Sequence, residues 1–109
     1  SSSENKGRLL ENIVFLELRR RGEDISYLRE PNGELDFITT KQGKINQLIQ
    51  VCWSLQDPET KRRETDSLIL AGKQFNFKSG IIITNSEEQA FTQEGFQITC
   101  IPAWKWLLA

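Results

Sequence analysis

The chain has 109 residues, a mass of 12.6 kDa and a formal net charge of −1, which suits one domain with a single core. Histidine is absent, which excludes Ser-His-Asp and Cys-His catalytic relays and any zinc site built on histidine. Two cysteines are too few for a disulfide framework, so the sequence favours a reduced, cytoplasmic protein. Its apolar runs fall far short of the roughly 20 residues that span a bilayer, so no membrane partner is expected.

The start of the chain predicts a fragment of a longer protein. The sequence contains no methionine and opens on three serines. We therefore expect residues 1–6 to be a cloning scar or linker, and residues 7–109 to form a single excised domain.

An amphipathic helix is predicted from Asn5 to Arg21, because apolar residues recur there every three or four positions. Cationic residues in the last turn and Gly22 at the exit favour its end at that point. Three strands then follow, at Ile25–Arg29, Glu34–Thr40 and Asn46–Trp53.

The first two of these strands are predicted to form a hairpin through the turn Glu30-Pro31-Asn32-Gly33. The second strand alternates, with Glu34, Asp36 and Ile38 on one face and Leu35, Phe37 and Thr39 on the other. The third is almost continuously apolar, which is typical of a central strand covered on both faces.

The second half of the chain predicts four further segments. They are a helix from Asp57-Pro58 to about Phe75, a strand at Ile81–Thr84, a strand at Phe96–Ile101 and a short helix at Pro102–Leu108. The intervening Asn85–Glu94 segment is interpreted as a loop that holds a helical turn. A strand, helix, strand passage makes the third and fourth strands parallel. The expected class is α/β, with a mixed central sheet of about five strands flanked by helices.

Four polar residues conflict with their local pattern. Glu11 shares a helical stripe with apolar neighbours, and Asp36 interrupts a strand where aspartate is disfavoured. Gln50 and Cys52 lie two apart on the most apolar strand, so they point to the same face. If that face also carries Asp36, a compact polar cluster forms on one side of the sheet.

A divalent metal is one use of such a cluster. Mg²⁺ prefers oxygen ligands and often takes only one or two carboxylates, which Glu11, Asp36 and the carbonyl of Gln50 or Val51 would supply. A metal there would activate water for phosphodiester cleavage without histidine. The alternative is structural: Glu11 bonds to a backbone group or an arginine, and Asp36 caps a turn.

The motifs also resemble a known family. Residues 7–18 (GRLLENIVFLEL), 33–37 (GELDF) and 49–52 (IQVC), followed by 57–60 (DPET) with 63–64 (RE) and by 80–84 (GIIIT), look like the C-terminal domain of prokaryotic AAA-type ATPases. That domain is similar in fold to the PD-(D/E)XK restriction-endonuclease and Holliday-junction-resolvase superfamily. The resemblance covers nearly the whole chain from Gly7 to Leu107, and it implies a restriction-endonuclease-like sheet.

The resemblance assigns the four polar residues to a nuclease site. Glu11 corresponds to the first-helix acid, Asp36 to the metal-binding aspartate, Gln50 to the third-strand acid and Cys52 to the lysine of the superfamily. The last two are departures, because glutamine brings no charge to a metal and cysteine supplies no ammonium group. Loss of one such electrostatic contact typically costs on the order of 10²–10³ in rate. The site is thus expected to bind Mg²⁺ weakly, through Glu11, Asp36 and Gln50.

A base from the second helix could replace the missing lysine, the candidates being Lys61, Arg62, Arg63 and Lys73. The competing interpretation, which we favour, is a solvated face paired with nearby acids. Cys52 is not expected to act as a nucleophile, since no histidine activates it. Trp104 and Trp106 lie two apart in a short helix, so both cannot face one core.

Three functional hypotheses follow. The first is a domain with a degenerate nuclease site that binds nucleic acid or protein, the second an active Mg²⁺-dependent nuclease, and the third a structural or regulatory module of the parent ATPase. These residues contain no phosphate-binding loop of the G-x-x-x-x-G-K-[ST] type, so this segment itself is not expected to hydrolyse ATP. The expected partners are the ATPase part of the parent chain and, for the binding hypothesis, DNA.

Overall fold

A computed structural model describes residues 2–29 and 33–109 of the chain. Its elements are α1 (Ser2–Arg20), β1 (Asp24–Leu28), β2 (Leu35–Lys41), β3 (Lys44–Val51), α2 (Pro58–Phe75), β4 (Ser79–Thr84), β5 (Gln89–Gln93), β6 (Phe96–Pro102) and α3 (Ala103–Leu108). The strands form one sheet in the order β1-β2-β3-β4-β6-β5. Strand β4 is parallel to β3 and β6, and the other neighbours are antiparallel. The predicted mixed α/β class and the parallel crossover are confirmed.

The sheet has six strands rather than about five, because the prediction for Asn85–Glu94 is wrong. Residues Gln89–Gln93 form the edge strand β5, which pairs antiparallel with β6. Glu94 and Gly95 both have positive φ, as a tight two-residue hairpin turn requires. An edge strand meets solvent along most of its length, so its polar composition resembles that of a loop.

Two helical layers cover the two faces of the sheet. Helix α1 buries Leu10, Val14 and Leu18 against one face, where Trp106 of α3 completes the core. Helix α2 packs on the opposite face through Leu68, Ile69 and Ala71. Strand β3 contributes to both cores, as its apolar sequence predicts. No helix in the described ranges is long and apolar enough to cross a membrane.

The local signals at the helix ends act as predicted. The side chain of Asp57 accepts a hydrogen bond from the backbone N–H of Thr60 and caps the N-terminus of α2. Gly22 follows α1 with φ 73°. The predicted hairpin pairing of β1 with β2 is present, whereas residues 30–32 of its turn lie outside the described residues.

A bulge near the start of β2 overturns the predicted alternation of that strand. Ser26 pairs with Ile38 and Leu28 with Leu35, so β2 uses three steps where β1 uses two. The extra residue reverses the side-chain alternation. Leu35 therefore packs in the core under α2, while Phe37 packs in the core under α1. Asp36 lies inside this irregular stretch.

Candidate functional site

The sheet brings Asp36 and Gln50 into direct contact. Because β2 and β3 are antiparallel, the beginning of β2 lies beside the end of β3. The backbone N–H of Asp36 donates to Oε1 of Gln50 at 3.0 Å, and Nε2 of Gln50 donates to the carbonyl of Glu34 at 3.4 Å. Regular pairing between β2 and β3 ends at Phe37 and Ile49. Beyond that pair, the side chain of Gln50 supplies the hydrogen bonds to the backbone at the start of β2.

This role leaves Gln50 enclosed. The residue is only 2% exposed, and its amide is satisfied at both ends by backbone groups. A buried amide with its partners in place costs little, whereas turning its oxygen toward a metal would leave the N–H of Asp36 unpaired. Gln50 therefore stabilises the irregular start of β2 through its hydrogen bonds to the backbone.

Asp36 continues the same network in the other direction. Its Oδ2 accepts a hydrogen bond from the backbone N–H of Val51 at 2.8 Å. Burial raises the pKa of Asp36 to about 6, opposed by the Val51 hydrogen bond and reinforced by the negative charge of Glu11. One carboxylate oxygen is thus committed to the backbone, and the group is partly protonated near neutral pH.

Glu64 is a site residue that the sequence reasoning did not select. It lies on α2, and burial raises its pKa to about 7, with the charge of Asp36 as the next cause. Glu64 precedes the buried Leu68 by four positions, so it lies on the core-facing stripe of its helix. The spacing argument that selected Glu11 would have selected Glu64 as well.

Glu11 and Glu64 border a cleft between the two helical layers. It has a volume of about 770 Å³ and is lined by Glu4, Gly7, Arg8, Glu11, Val51, Cys52, Trp53, Ser54, Gln56, Asp57, Thr60, Arg63 and Glu64. Four acids and two arginines lie in this lining, so the cleft is acidic, although the raised pKa of Glu64 reduces its negative charge near neutral pH. A smaller recess of about 380 Å³ shares Arg8 and Glu11 with the cleft and adds Asp36, Tyr27 and Arg29.

Cys52 lies at the floor of the cleft as a protonated thiol. Its Sγ donates to the carbonyl of Ser54 at 3.2 Å, and burial raises its pKa to about 11, with a further contribution from Glu64. A thiol in this state is a poor nucleophile at neutral pH, because the thiolate is the reactive form. Cys52 therefore brings no positive charge to the cleft.

The candidate replacement bases are distributed unequally. Arg63 lines the cleft, whereas Arg62 pairs with Glu59 and Asp66 on the surface. Lys73 pairs with Glu94, and Lys61 lies over the ring of Phe91. The surface-pairing interpretation fits Arg62 and Lys73, and Arg63 alone of the four candidates lines the cleft.

The donor set fits a resident magnesium ion incompletely. Within the described ranges, no group of three or more His, Cys, Asp or Glu side chains is arranged to hold a metal ion. Glu11 and Asp36 line the same recess, but Asp36 shares its carboxylate with the N–H of Val51 and Gln50 is enclosed. The predicted triad is therefore assembled in space without presenting three available oxygen ligands.

Tyr27 in the recess and Trp53 in the cleft each have a cation over the aromatic ring. Arg29 lies 4.5 Å from the ring centre of Tyr27, and Lys6 lies 5.4 Å from that of Trp53. Trp106 is buried while Trp104 is 61% exposed, which confirms that the two tryptophans face different environments.

Comparisons with known proteins place the chain among relatives without an assigned activity. Residues 6–104 match the family described as "Domain of unknown function (DUF4143)". The chain is 38% identical over 122 aligned residues to the uncharacterized protein MJ1544 of Methanocaldococcus jannaschii, covering 99% of this chain and 26% of that protein. It is 33% identical over 100 residues to an uncharacterized protein of Haemophilus influenzae, covering 92% and 23%. The chain thus spans about a quarter of the length of the curated relatives it matches.

Proposed function

Because the chain belongs to the DUF4143 family, we propose that it is an accessory domain of a longer ATPase, with a degenerate nuclease-like site whose cleft binds a protein segment. The observation that carries the proposal is the enclosure of Gln50, which the resemblance assigns to the position of a nuclease acid. Its side chain is buried, and its amide is hydrogen-bonded to backbone groups of Glu34 and Asp36. The shares of 26% and 23% support a parent chain with room for a separate ATPase part. The two free cysteines are consistent with the proposed cytoplasmic location.

Three features support a degenerate rather than an active site. Gln50 brings no charge, Cys52 remains a neutral thiol, and Asp36 binds a backbone N–H. A phosphodiesterase site needs electrostatic stabilisation of the developing negative charge, which neither a neutral amide nor a neutral thiol supplies.

The charge of the cleft favours protein over nucleic acid. Binding of nucleic acid depends on cations that neutralise phosphates, but the cleft lining carries four acids against two arginines. Arg20 and Arg21, at the end of α1, are both paired with Glu17. A cationic protein segment is the ligand that such a lining attracts.

The primary experiment is a Mg²⁺ and Mn²⁺ titration with plasmid, junction and single-stranded DNA, run with the wild type and with Asp36→Ala. We expect no metal-dependent cutting by either protein. Cutting by the wild type that disappears in Asp36→Ala would replace the proposal with the nuclease hypothesis. Asp66→Ala is the matched control, because Asp66 lies on the exposed surface of α2.

A second measurement addresses the ligand of the cleft. DNA binding, measured at low and at high salt, is expected to be negligible at both, and tight binding that weakens steeply with salt would overturn the protein assignment. In the parent protein, Glu11→Lys and Glu64→Lys should disrupt regulation or assembly. Parent activity and assembly that are indifferent to both changes would favour the purely structural module.

An active Mg²⁺-dependent nuclease is the second candidate, favoured by one observation. Burial is the main cause of the raised pKa values of Asp36 and Glu64, and the charge of Glu11 contributes to both shifts. A bound cation would reduce the electrostatic repulsion between clustered carboxylates. Arg63 lies on the same cleft and would supply a positive charge there. In that case Glu64 would compensate for the missing charge at Gln50.

A further inference from the structure

The exposed apolar side chains of the domain concentrate on one side. Eight large hydrophobic residues are exposed among the described residues, and six of them belong to α1 or α3. These six are Leu9, Ile13 and Leu16 on α1 and Trp104, Leu107 and Leu108 on α3. We refer to them as the α1/α3 face.

The three residues on α1 form one stripe. Their spacing of four and then three positions places them on a common flank of the helix, next to the core-facing stripe of Leu10 and Val14. Phe15 and Arg8 lie on the opposite flank, where they line the recess beside β1. The apolar stripe is therefore turned away from β1.

Helix α3 lies on the side toward which this stripe turns. It contacts α1 and packs on β4 and β6, the strands farther from β1. Arg21, just after α1, donates to the carbonyl of Trp106 at 2.9 Å and lies 4.5 Å from the centre of its ring. With Trp106 buried, the other large residues of α3 point outward, so both helices expose apolar side chains on the same layer.

We propose that the α1/α3 face is the surface on which the rest of the parent polypeptide docks. A cluster of large apolar side chains on one side of a small domain marks an interaction surface. The curated relatives are about four times as long as the matched segment, so most of each polypeptide lies outside this fold. Docking inside one chain occurs at high effective concentration, which makes it the occupant favoured over a second copy.

This surface is distinct from the acidic cleft. The inference rests on the proposed function only in requiring a longer parent chain, and it does not depend on whether the cleft binds protein, binds nucleic acid or cuts DNA. Metal-dependent DNA cutting would overturn the proposed function without affecting the docking proposal. An unprotected α1/α3 face would overturn the docking proposal without affecting the proposed function.

Hydroxyl-radical footprinting of the full parent protein tests the proposal with a matched internal control. Leu9 and Leu16 are 59% and 57% exposed in the domain, and Leu70 on α2 is 54% exposed. Since all three are leucines of similar exposure, their labelling in an undocked domain would be similar. We expect loss of most labelling at Leu9, Leu16 and Trp104, with Leu70 still labelled.

Two results would overturn the proposal. One is equal labelling of Leu9, Leu16 and Leu70 in the parent protein. The other is protection that disappears on dilution to a monomer, as measured by light scattering, because the occupant would then be a second copy. In a further check, Leu9→Ser combined with Leu16→Ser should restore labelling of Trp104 in the parent, whereas Leu70→Ser should not.

Discussion

At the scale of single residues, Gln50 has a structural role in the sheet that its side-chain amide explains. The sequence resemblance would make Gln50 the counterpart of a nuclease acid, whereas in the structure its amide bonds to the backbone of Glu34 and Asp36. A glutamate there would lose the donor to the carbonyl of Glu34 and would add a charge beside Asp36. Glutamine at this position is therefore explained by its hydrogen bonds to the backbone.

Replacing Gln50 with leucine should destabilise the protein by about 1–3 kcal/mol, because it removes the partners of the partly buried Asp36 N–H and Glu34 carbonyl and puts no polar group in their place. Gln74→Leu is the control, since Gln74 is exposed near the end of α2, and it should change stability by less than about 0.5 kcal/mol. Urea denaturation measures both. Equal stability of the two variants would mean that Gln50 does not support the bulge.

At the scale of elements, close packing of helix α2 on the sheet depends on a small residue. A Cβ atom at Gly72 would collide with the Phe96 ring and would lie 2.6 Å from the carbonyl oxygen of Phe77. At Gly7, by contrast, a Cβ atom of α1 would meet nothing within 4 Å. A side chain at position 72 is therefore excluded by packing, whereas position 7 has room for one.

Gly72→Ala should therefore cost about 1–3 kcal/mol, as overpacking against a fixed backbone oxygen does. Gly7→Ala should leave the stability unchanged or raise it by up to about 1 kcal/mol, through the better helix propensity of alanine. Thermal and urea denaturation report both changes. Similar effects of the two substitutions would contradict the packing argument.

Helix α3 has six residues and depends on a tertiary contact with the end of α1. Hydrogen bonds from Arg20, and then from Arg21, lower the pKa of Glu17 to about 2. Of these two arginines, Arg21 also donates to the carbonyl of Trp106, at 2.9 Å. Arg20 stays on the surface, with a side chain that is 71% exposed.

We expect Arg21→Ala to destabilise the protein by about 1–2 kcal/mol, through loss of a charged hydrogen bond and of the contact with the Trp106 ring. Arg20→Ala should cost less than about 0.5 kcal/mol, as exposed ion pairs do. Denaturation followed by tryptophan fluorescence measures both variants. If Arg20→Ala were the more damaging change, α3 would not depend on Arg21.

At the scale of the whole molecule, the buried carboxylates set the pH dependence of stability. The pKa of Glu64 rises from 4.5 to about 7 in the folded state, and that of Asp36 from 3.8 to about 6. The folded state thus binds more protons than the unfolded state in this range, so stability falls as the pH rises from about 4 to 7. Glu17 has the opposite effect, but below pH 4.5.

Glu64→Gln should remove much of this slope. We expect the wild type to lose about 1–3 kcal/mol between pH 4.5 and 7.5, and the variant to lose less. Chemical denaturation at a series of pH values measures the slope, and Glu59→Gln on the exposed side of α2 is the control. Parallel curves for the wild type and Glu64→Gln would show that Glu64 titrates normally.

Much of the fold followed from the sequence, because local signals determine it. The spacing of apolar residues predicted α1, the cap at Asp57 predicted the start of α2, and the continuous apolar run predicted β3 as a central strand. These signals concern neighbours in sequence, or the simple question of whether a face is buried. Strand β5 was missed because an exposed edge strand and a loop share a polar composition.

The composition by itself excluded histidine chemistry, and the sequence patterns determined the α/β class and singled out Glu11, Asp36, Gln50 and Cys52. Only the tertiary structure decided how those residues are used. The bulge in β2, the enclosure of Gln50, the burial of Glu64 and the exposed α1/α3 face arise from contacts between residues that are distant in sequence. Hydrogen-bond partners and desolvation depend on such contacts, and no local pattern encodes them.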